Sequence, residues 1–141
     1  QSETYISCKT HIFELVFALP GSSEDFVGAL GTASILRAAR RVVRPGRESH
    51  FVNVQRDLWA PGMCDTEVLG GLFLKYDDGE SEYLTITAWR SRESYDTYVR
   101  EIFPSLVAAS GVEDDVERLD GSVIEMERCW RVIGGERGIW V

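Results

Sequence analysis

Two alternating stretches that meet at an Asp-Gly turn constrain this chain more than any other feature of its sequence. Val68 to Tyr76 (VLGGLFLKY) runs into Asp77-Asp78-Gly79-Glu80, and Glu82 to Trp89 (EYLTITAW) follows. Apolar residues recurring at period two mark strands, and the Asp-Gly step supplies the positive φ that a tight reversal needs. The segment is therefore read as an antiparallel hairpin. Ser91-Arg92-Glu93-Ser94 comes directly after it, a helix N-cap with an acid in the first turn. Tyr95, Tyr98, Val99, Ile102, Phe103 and Leu106 then fall on one face at period 3.6. Pro104 must kink or restart that helix, because it cannot donate a backbone hydrogen bond. An acidic loop from Gly111 to Gly121 is expected to lead to a last strand, Ser122 to Ile133.

Upstream, Ser34 to Val43 (SILRAARRVV) has two readings. Its Ala and Arg content favours helix, but Val42-Val43-Arg44-Pro45-Gly46 reads as a strand entering a turn. Phe51, Gln55 and Trp59 lie four apart, on one side of a helix expected over roughly 47–60 and ended by Pro61-Gly62. The order over 34–133 is then β-α-β-β-α-β, a ferredoxin-like α+β fold with an antiparallel sheet and two helices on one face. Residues 1–33 form an extension: an alternating stretch from Tyr5 to Ala18, Pro20-Gly21, and a short helix capped at Ser22 or Ser23. A two-helix layer leaves the other sheet face, with Leu84 and Ile86 or their alternates, to be covered by a symmetric partner.

Bulk properties remove several function classes. The chain has 141 residues, enough for one hydrophobic core, with apolar and charged shares of 44 % and 27 % that are ordinary for a globular domain. A net charge of −8 repels phosphate backbones and argues against nucleic acid. Arg37, Arg40, Arg41, Arg44 and Arg47 do cluster, either as a solvated strand edge or as a feature that steers an anionic small molecule. The longest apolar run, Ile12 to Leu19, is broken by Glu14 and stops at Pro20, so no membrane span is expected. The N-terminal stretch lacks the basic start and apolar block of a signal peptide. Cys8, Cys64 and Cys129 are odd in number and far apart, without metal-ligand spacing, which fits a reducing cytoplasm.

Three stretches carry a family resemblance. Val43 to Phe51 (VRPGRESHF) resembles the strand, V-x-P-G, helix opening of the antibiotic biosynthesis monooxygenase-like proteins of the dimeric α+β-barrel superfamily. Tyr83 to Tyr98 (YLTITAWRSRESYDTY) resembles their strand ending in Trp followed by a helix that opens with an aromatic. Phe51-x3-Gln55-x3-Trp59 resembles a small branch of that superfamily. The match covers about 34–133 and implies a homodimer whose two sheets pack together. Family members include cofactor-independent oxygenases that turn anthrones or related polyphenols into quinones, haem-degrading proteins, and proteins of no known activity. In the quinone-forming oxygenases an Asn, a Trp and a Tyr line the pocket. The Trp maps to Trp89, the Tyr to Tyr95, and the Asn position is Thr85 here. The haem-degrading members need a His on the second helix. This chain has only His11 and His50, which disfavours haem.

The residues themselves permit a cleft between sheet and helices. Alternation puts Trp89 on one face with Thr85 and Thr87, where it would meet Trp59 and Tyr95 either as pocket wall or as core packing. In the catalytic reading, the chain is a tailoring enzyme, a cofactor-independent monooxygenase or a related cyclase. Tyr95 and Thr85 hydrogen-bond substrate and His50 or Gln55 assists proton transfer, while Trp89, Trp59, Gln55 and Phe51 bind it. The alternative is a ligand-binding homodimer without catalysis. His50 reads equally as a surface histidine. No cofactor or metal is expected, since the chain lacks a metal-ligand cluster and a Gly-rich dinucleotide turn. The expected partners are a small hydrophobic aromatic molecule and a second copy of the chain. Gly70-Gly71 is read as a bulge and Gly134-Gly135 as part of a flexible tail.

Overall fold

A computed structural model of the chain describes residues 7–77 and 81–127 and the backbone of 132–133 and 139–140. The expected hairpin forms the middle of a sheet: β3 (Val68–Tyr76) pairs antiparallel with β4 (Glu82–Trp89), from Val68 opposite Trp89 to Lys75 opposite Tyr83. The tip of its turn and Cys129 lie outside the described residues, as do Gly134 and Gly135. The register slips between Val68 and Gly70, where the glycine pair was read as a bulge. The ambiguous segment upstream is a strand, β2 (Ile35–Val43), between β4 and β5 (Val116–Glu125). β1 (Phe13–Leu19) borders β3 and closes the antiparallel order β1-β3-β4-β2-β5. Setting β1 aside, β2 to β5 have the ferredoxin-like arrangement, so the fold is α+β as the sequence indicates.

Helices cover one face of this sheet. The first runs without a break through α2 (Glu48–Val54), a π-helical stretch (Gln55–Trp59) and α3 (Ala60–Cys64). It therefore passes the expected stop at Pro61. The wide turn, in which Ala60 N–H donates to Gln55 C=O, precedes the proline, and Pro61 then starts a new helical segment where its missing N–H costs little. The second helix is split as Pro104 requires, into α4 (Arg92–Glu101) and α5 (Phe103–Ser110). Ser91 and Ser94 cap α4 reciprocally. The acidic loop is a correction: Gly111, at φ 63, turns the chain into α6 (Val112–Asp115), and β5 begins at Val116 rather than Ser122. β5 ends at Glu125, and Val132–Ile133 pairs separately with Ile139–Trp140.

Alternation sorts the sheet's side chains. Ile35, Val68 and Trp89 face the helices and pack with Trp59, Met63, Tyr98 and Leu106. Further along, Val43, Phe73 and Tyr83 pack with Phe51. The opposite face is partly covered by α1 (Phe26–Thr32), which sets Ala29 and Ala33 on Leu69 and Ala88. Its cap is Asp25, which accepts from Gly28 N–H at 2.7 Å, not Ser22 or Ser23. Those serines instead donate their backbone N–H to Val68 and Leu69 carbonyls. Gly21 is needed there, since a Cβ would lie 2.4 Å from the Leu69 carbonyl carbon. Elsewhere that face carries two aliphatic rows, Leu15, Leu74 and Leu84 in one and Leu72, Ile86 and Ala38 in the next, with Arg40 and Glu82 beside them.

Candidate functional site

Between sheet and helices lies a cavity of about 270 Å³. Its existence follows from side-chain size. The sheet contributes Thr85, Thr87 and Ala39 as a floor of small residues, with Leu19 reaching across Gly71 from the neighbouring strand. A side chain at Gly71 has no room, because its Cβ would lie 2.5 Å from the Ile86 carbonyl oxygen. The helices contribute large rings that stop short of this floor: Trp59 from the π-helical stretch, Tyr95 and Tyr98 from α4, and Phe103 from α5. Val99 and Phe103 both border the cavity and are exposed, so it opens to solvent beside them.

The polar lining is unusual in what it lacks. Among the described residues Gln55 Nε2 and Trp59 Nε1 are buried with no hydrogen-bond partner, and both residues border the cavity. Orphaned buried donors are rare and ask for an explanation. Both belong to the π-helical stretch, a distortion that recurs at functional sites. Two arginines of β2 complete the wall. Arg41, 9 % exposed, donates to Thr85 Oγ1 at 2.9 Å. Burial, with Arg37 nearby, pushes its guanidinium down to about 10, which leaves it a cation at neutral pH. Arg37 donates to the carbonyls of Ala38 and Ser122 and lies over Gly121. Burial also pushes the Tyr98 hydroxyl well above its ordinary range, so it stays protonated. No Asp, Glu, His, Lys or Cys is among the described residues that line the cavity.

Of the residues expected at a site, Tyr95, Thr85, Trp59 and Gln55 meet at this cavity. Trp89, His50 and Phe51 do not line it. Trp89 is fully buried, stacked on Tyr98 at 5.0 Å and edge-on to Tyr95 at 5.7 Å, with Nε1 donating to Thr87 Oγ1 at 2.9 Å. It backs the wall that Tyr95 and Tyr98 present. Phe51 packs among Phe73 and Tyr83. His50 sits 2.6 Å from the buried carboxylate of Asp115, which also holds Arg47. Four further lining residues, Arg37, Arg41, Thr87 and Tyr98, are not assigned to a site by the sequence reading, which takes the two arginines only as part of a basic cluster that could steer an anion. The signal was present for the arginines: in a strand they share a face with Ile35, Ala39 and Val43. Both faces of β2 are apolar, however, so alternation alone did not say which one meets the helices.

No three His, Cys, Asp or Glu side chains among the described residues converge to hold a metal ion. None of the helices among them is long and apolar enough to cross a membrane. No protein-family model and no curated protein matches the sequence. Solved structures do share the fold. A "putative monooxygenase" from Fusobacterium nucleatum superposes with a TM-score of 0.60 at 9 % identity, over 82 % of this chain and 49 % of that one. Another of that description, from Lactobacillus acidophilus, gives 0.55 at 14 % identity, over 63 % and 42 %. The chain thus spans about half the length of these two structures. A "putative antibiotic biosynthesis monooxygenase" from Deinococcus radiodurans gives 0.59 at 11 % identity, over 71 % of this chain and 99 % of that one. The fold is therefore that of the antibiotic biosynthesis monooxygenase-like proteins. Identities this low establish the fold and leave chemistry to the site.

Proposed function

We propose that the chain is a tailoring enzyme for a flat, hydrophobic, polyketide-like aromatic molecule, acting as a cofactor-independent monooxygenase. The observation that carries this reading is the cavity itself: aromatic walls, a floor of small residues, and two buried donors without acceptors. Such a space fits a planar ring system that carries carbonyl or enolate oxygens. An anthrone-type substrate gives up a proton of its ring CH2 to solvent at the cavity mouth, leaving a carbanion, and a proton returns from solvent to the peroxide formed below. The carbanion passes an electron to dioxygen, the two radicals combine, and the peroxide expels water, so that CH2 plus O2 becomes C=O plus H2O. The protein's part is to exclude bulk water and to stabilise the enolate oxygen, for which Gln55 Nε2 and Trp59 Nε1 are available. Tyr95 and Thr85 orient the rings. Incubation with an anthrone on an oxygen electrode should give oxygen uptake matched by quinone formation, reduced in Gln55→Leu and Trp59→Phe.

One observation favours a second reading, a ligand-binding protein without catalysis. The described lining offers no side chain that takes a proton at neutral pH. Tight binding of the anthrone with no oxygen uptake would establish that reading in place of the first. Either activity fits a homodimer. The open sheet face carries Leu72, Leu74, Leu84 and Ile86 half-buried, with Leu15 and Ile124 exposed, an apolar surface that a second copy covers symmetrically. Light scattering at micromolar concentration should return twice the protomer mass, and a protomer mass would reject the dimer.

A further inference from the structure

The arginines of β2 are treated unequally. Arg40 points to the open face and donates Nε to Glu82 Oε1 at 2.7 Å. Arg47, just past the strand, is held by Asp115 through Nε at 2.7 Å. Arg37 and Arg41 point to the helix face and border the cavity, and among the described residues neither meets a carboxylate. A chain with 23 acidic residues and a net charge of −8 has acids to spare, yet none of the described ones forms an ion pair with these two cations. A buried charge without a counter-ion is costly, and that cost is recovered when an anion arrives.

The rest of the lining points the same way. Gln55 Nε2 and Trp59 Nε1 are donors, as are both guanidinium groups. A site built of donors calls for an occupant rich in acceptors. We infer that the molecule held in the cavity is an aromatic carboxylate, with its carboxylate on Arg41 and Arg37 and its rings between Trp59, Tyr95 and Phe103. This rests on the cavity being a ligand site, and it adds the charge and the anchoring group that the proposed function leaves open. The planar fork of Arg41 pairs with a carboxylate through two parallel hydrogen bonds, which fixes the ring system's orientation. Arg37 supplies the second cation from its place over Gly121, where any side chain would displace its guanidinium.

The test compares 2-naphthoate with 2-naphthamide, a neutral isostere, by calorimetric titration of the full chain at pH 7.5. The acid should bind at least tenfold more tightly than the amide. Arg41→Met should remove that preference by weakening the acid and leaving the amide unchanged. Gly121→Ala should weaken the acid by a smaller factor through Arg37. Arg40→Met, on the opposite face, should change neither. Equal affinities of the wild-type chain for acid and amide would overturn the anion inference while leaving the cavity a ligand site. Failure of both compounds to bind would overturn the inference together with the proposed function on which it rests. The wild-type comparison decides the matter even if a variant fails to fold.

Discussion

The sheet–helix interface has two aromatic regions, and they differ in how completely they are finished. In one, Phe51, Phe73 and Tyr83 close on each other, with Phe73 and Tyr83 stacked at 5.4 Å and 9°. The Tyr83 hydroxyl donates to Glu48 Oε1 at 2.8 Å, and Lys75 Nζ lies 3.2 Å from the same carboxylate. In the other, Trp59, Tyr95, Tyr98 and Phe103 surround a void, and among the described residues two buried donors lack acceptors and a buried cation lacks an acid. The same residue types give a satisfied core in the first place and an unfinished one in the second. What separates them is the floor: Phe73 fills one, while Ala39, Thr85, Thr87 and Gly71 leave the other empty. Unsatisfied groups beside a void are where the protein gives up stability, and a ligand is what would restore it.

The largest effect should come from the residue that backs the wall of the void without lining it. Trp89 is fully buried, so Trp89→Ala should cost ~3–5 kcal/mol in urea unfolding. Phe73→Ala, at the closed region, should cost a similar amount. Trp59→Phe should cost about 1 kcal/mol or less, because its indole N–H makes no hydrogen bond to lose. A Trp89→Ala loss no larger than that of Trp59→Phe would erase the distinction between wall and backing.

Arg41→Met gives a smaller effect of opposite sign. Removing a buried cation that has no acid partner among the described residues should leave stability unchanged or raise it by about 1–3 kcal/mol. The pH dependence follows from Arg41 sitting at about 10 in the fold against an ordinary 12.5. A base whose folded value is lowered destabilises the fold fully below the folded value, and the penalty fades as pH rises toward the unfolded value. The variant's gain should therefore be flat from pH 6 to 9 and shrink above about pH 10. A loss of several kcal/mol at pH 7 would instead make Arg41 part of a finished core.

The contrast between the regions also explains what the sequence made legible. The hairpin, the Ser91 cap, the break at Pro104 and the βαββαβ order are local patterns, and period and turn chemistry report them directly. Pro61 misled because helices seldom continue past proline. The π-helical turn that permits it is a matter of backbone geometry, and no residue type announces it. The acidic run at Glu113 to Asp115 looked like solvated loop, yet Asp115 is fully buried and bound to Arg47 and His50, partners 65 or more residues away. The site was half legible for a related reason. Tyr95, Thr85, Trp59 and Gln55 could be placed by their spacing on single elements. Arg37 and Arg41 needed the knowledge that β2 lies inside the sheet with its odd-numbered residues toward the helices, which is a tertiary fact.

The smallest effect tests whether the closed region is as satisfied as its geometry implies. The Tyr83 hydroxyl is the main cause holding the Glu48 carboxyl below its ordinary value, with Lys75 contributing. A carboxylate with a lowered folded value stabilises the fold fully above its unfolded value, near 4.5, and the contribution is lost as pH falls through the folded value. Glu48 is partly open to solvent, its side chain 38 % exposed, so screening keeps the effect modest. Tyr83→Phe preserves the ring stack with Phe73 and removes the one hydrogen bond. It should cost about 0.5–1 kcal/mol at pH 7, and the difference from the wild type should begin to narrow as pH falls below about 4.5, as Glu48 starts to take up a proton. Urea unfolding at a series of pH values reads this directly. A cost that stays constant down to pH 3 would mean that Glu48 is not the partner that matters, and that Tyr83 contributes by packing alone.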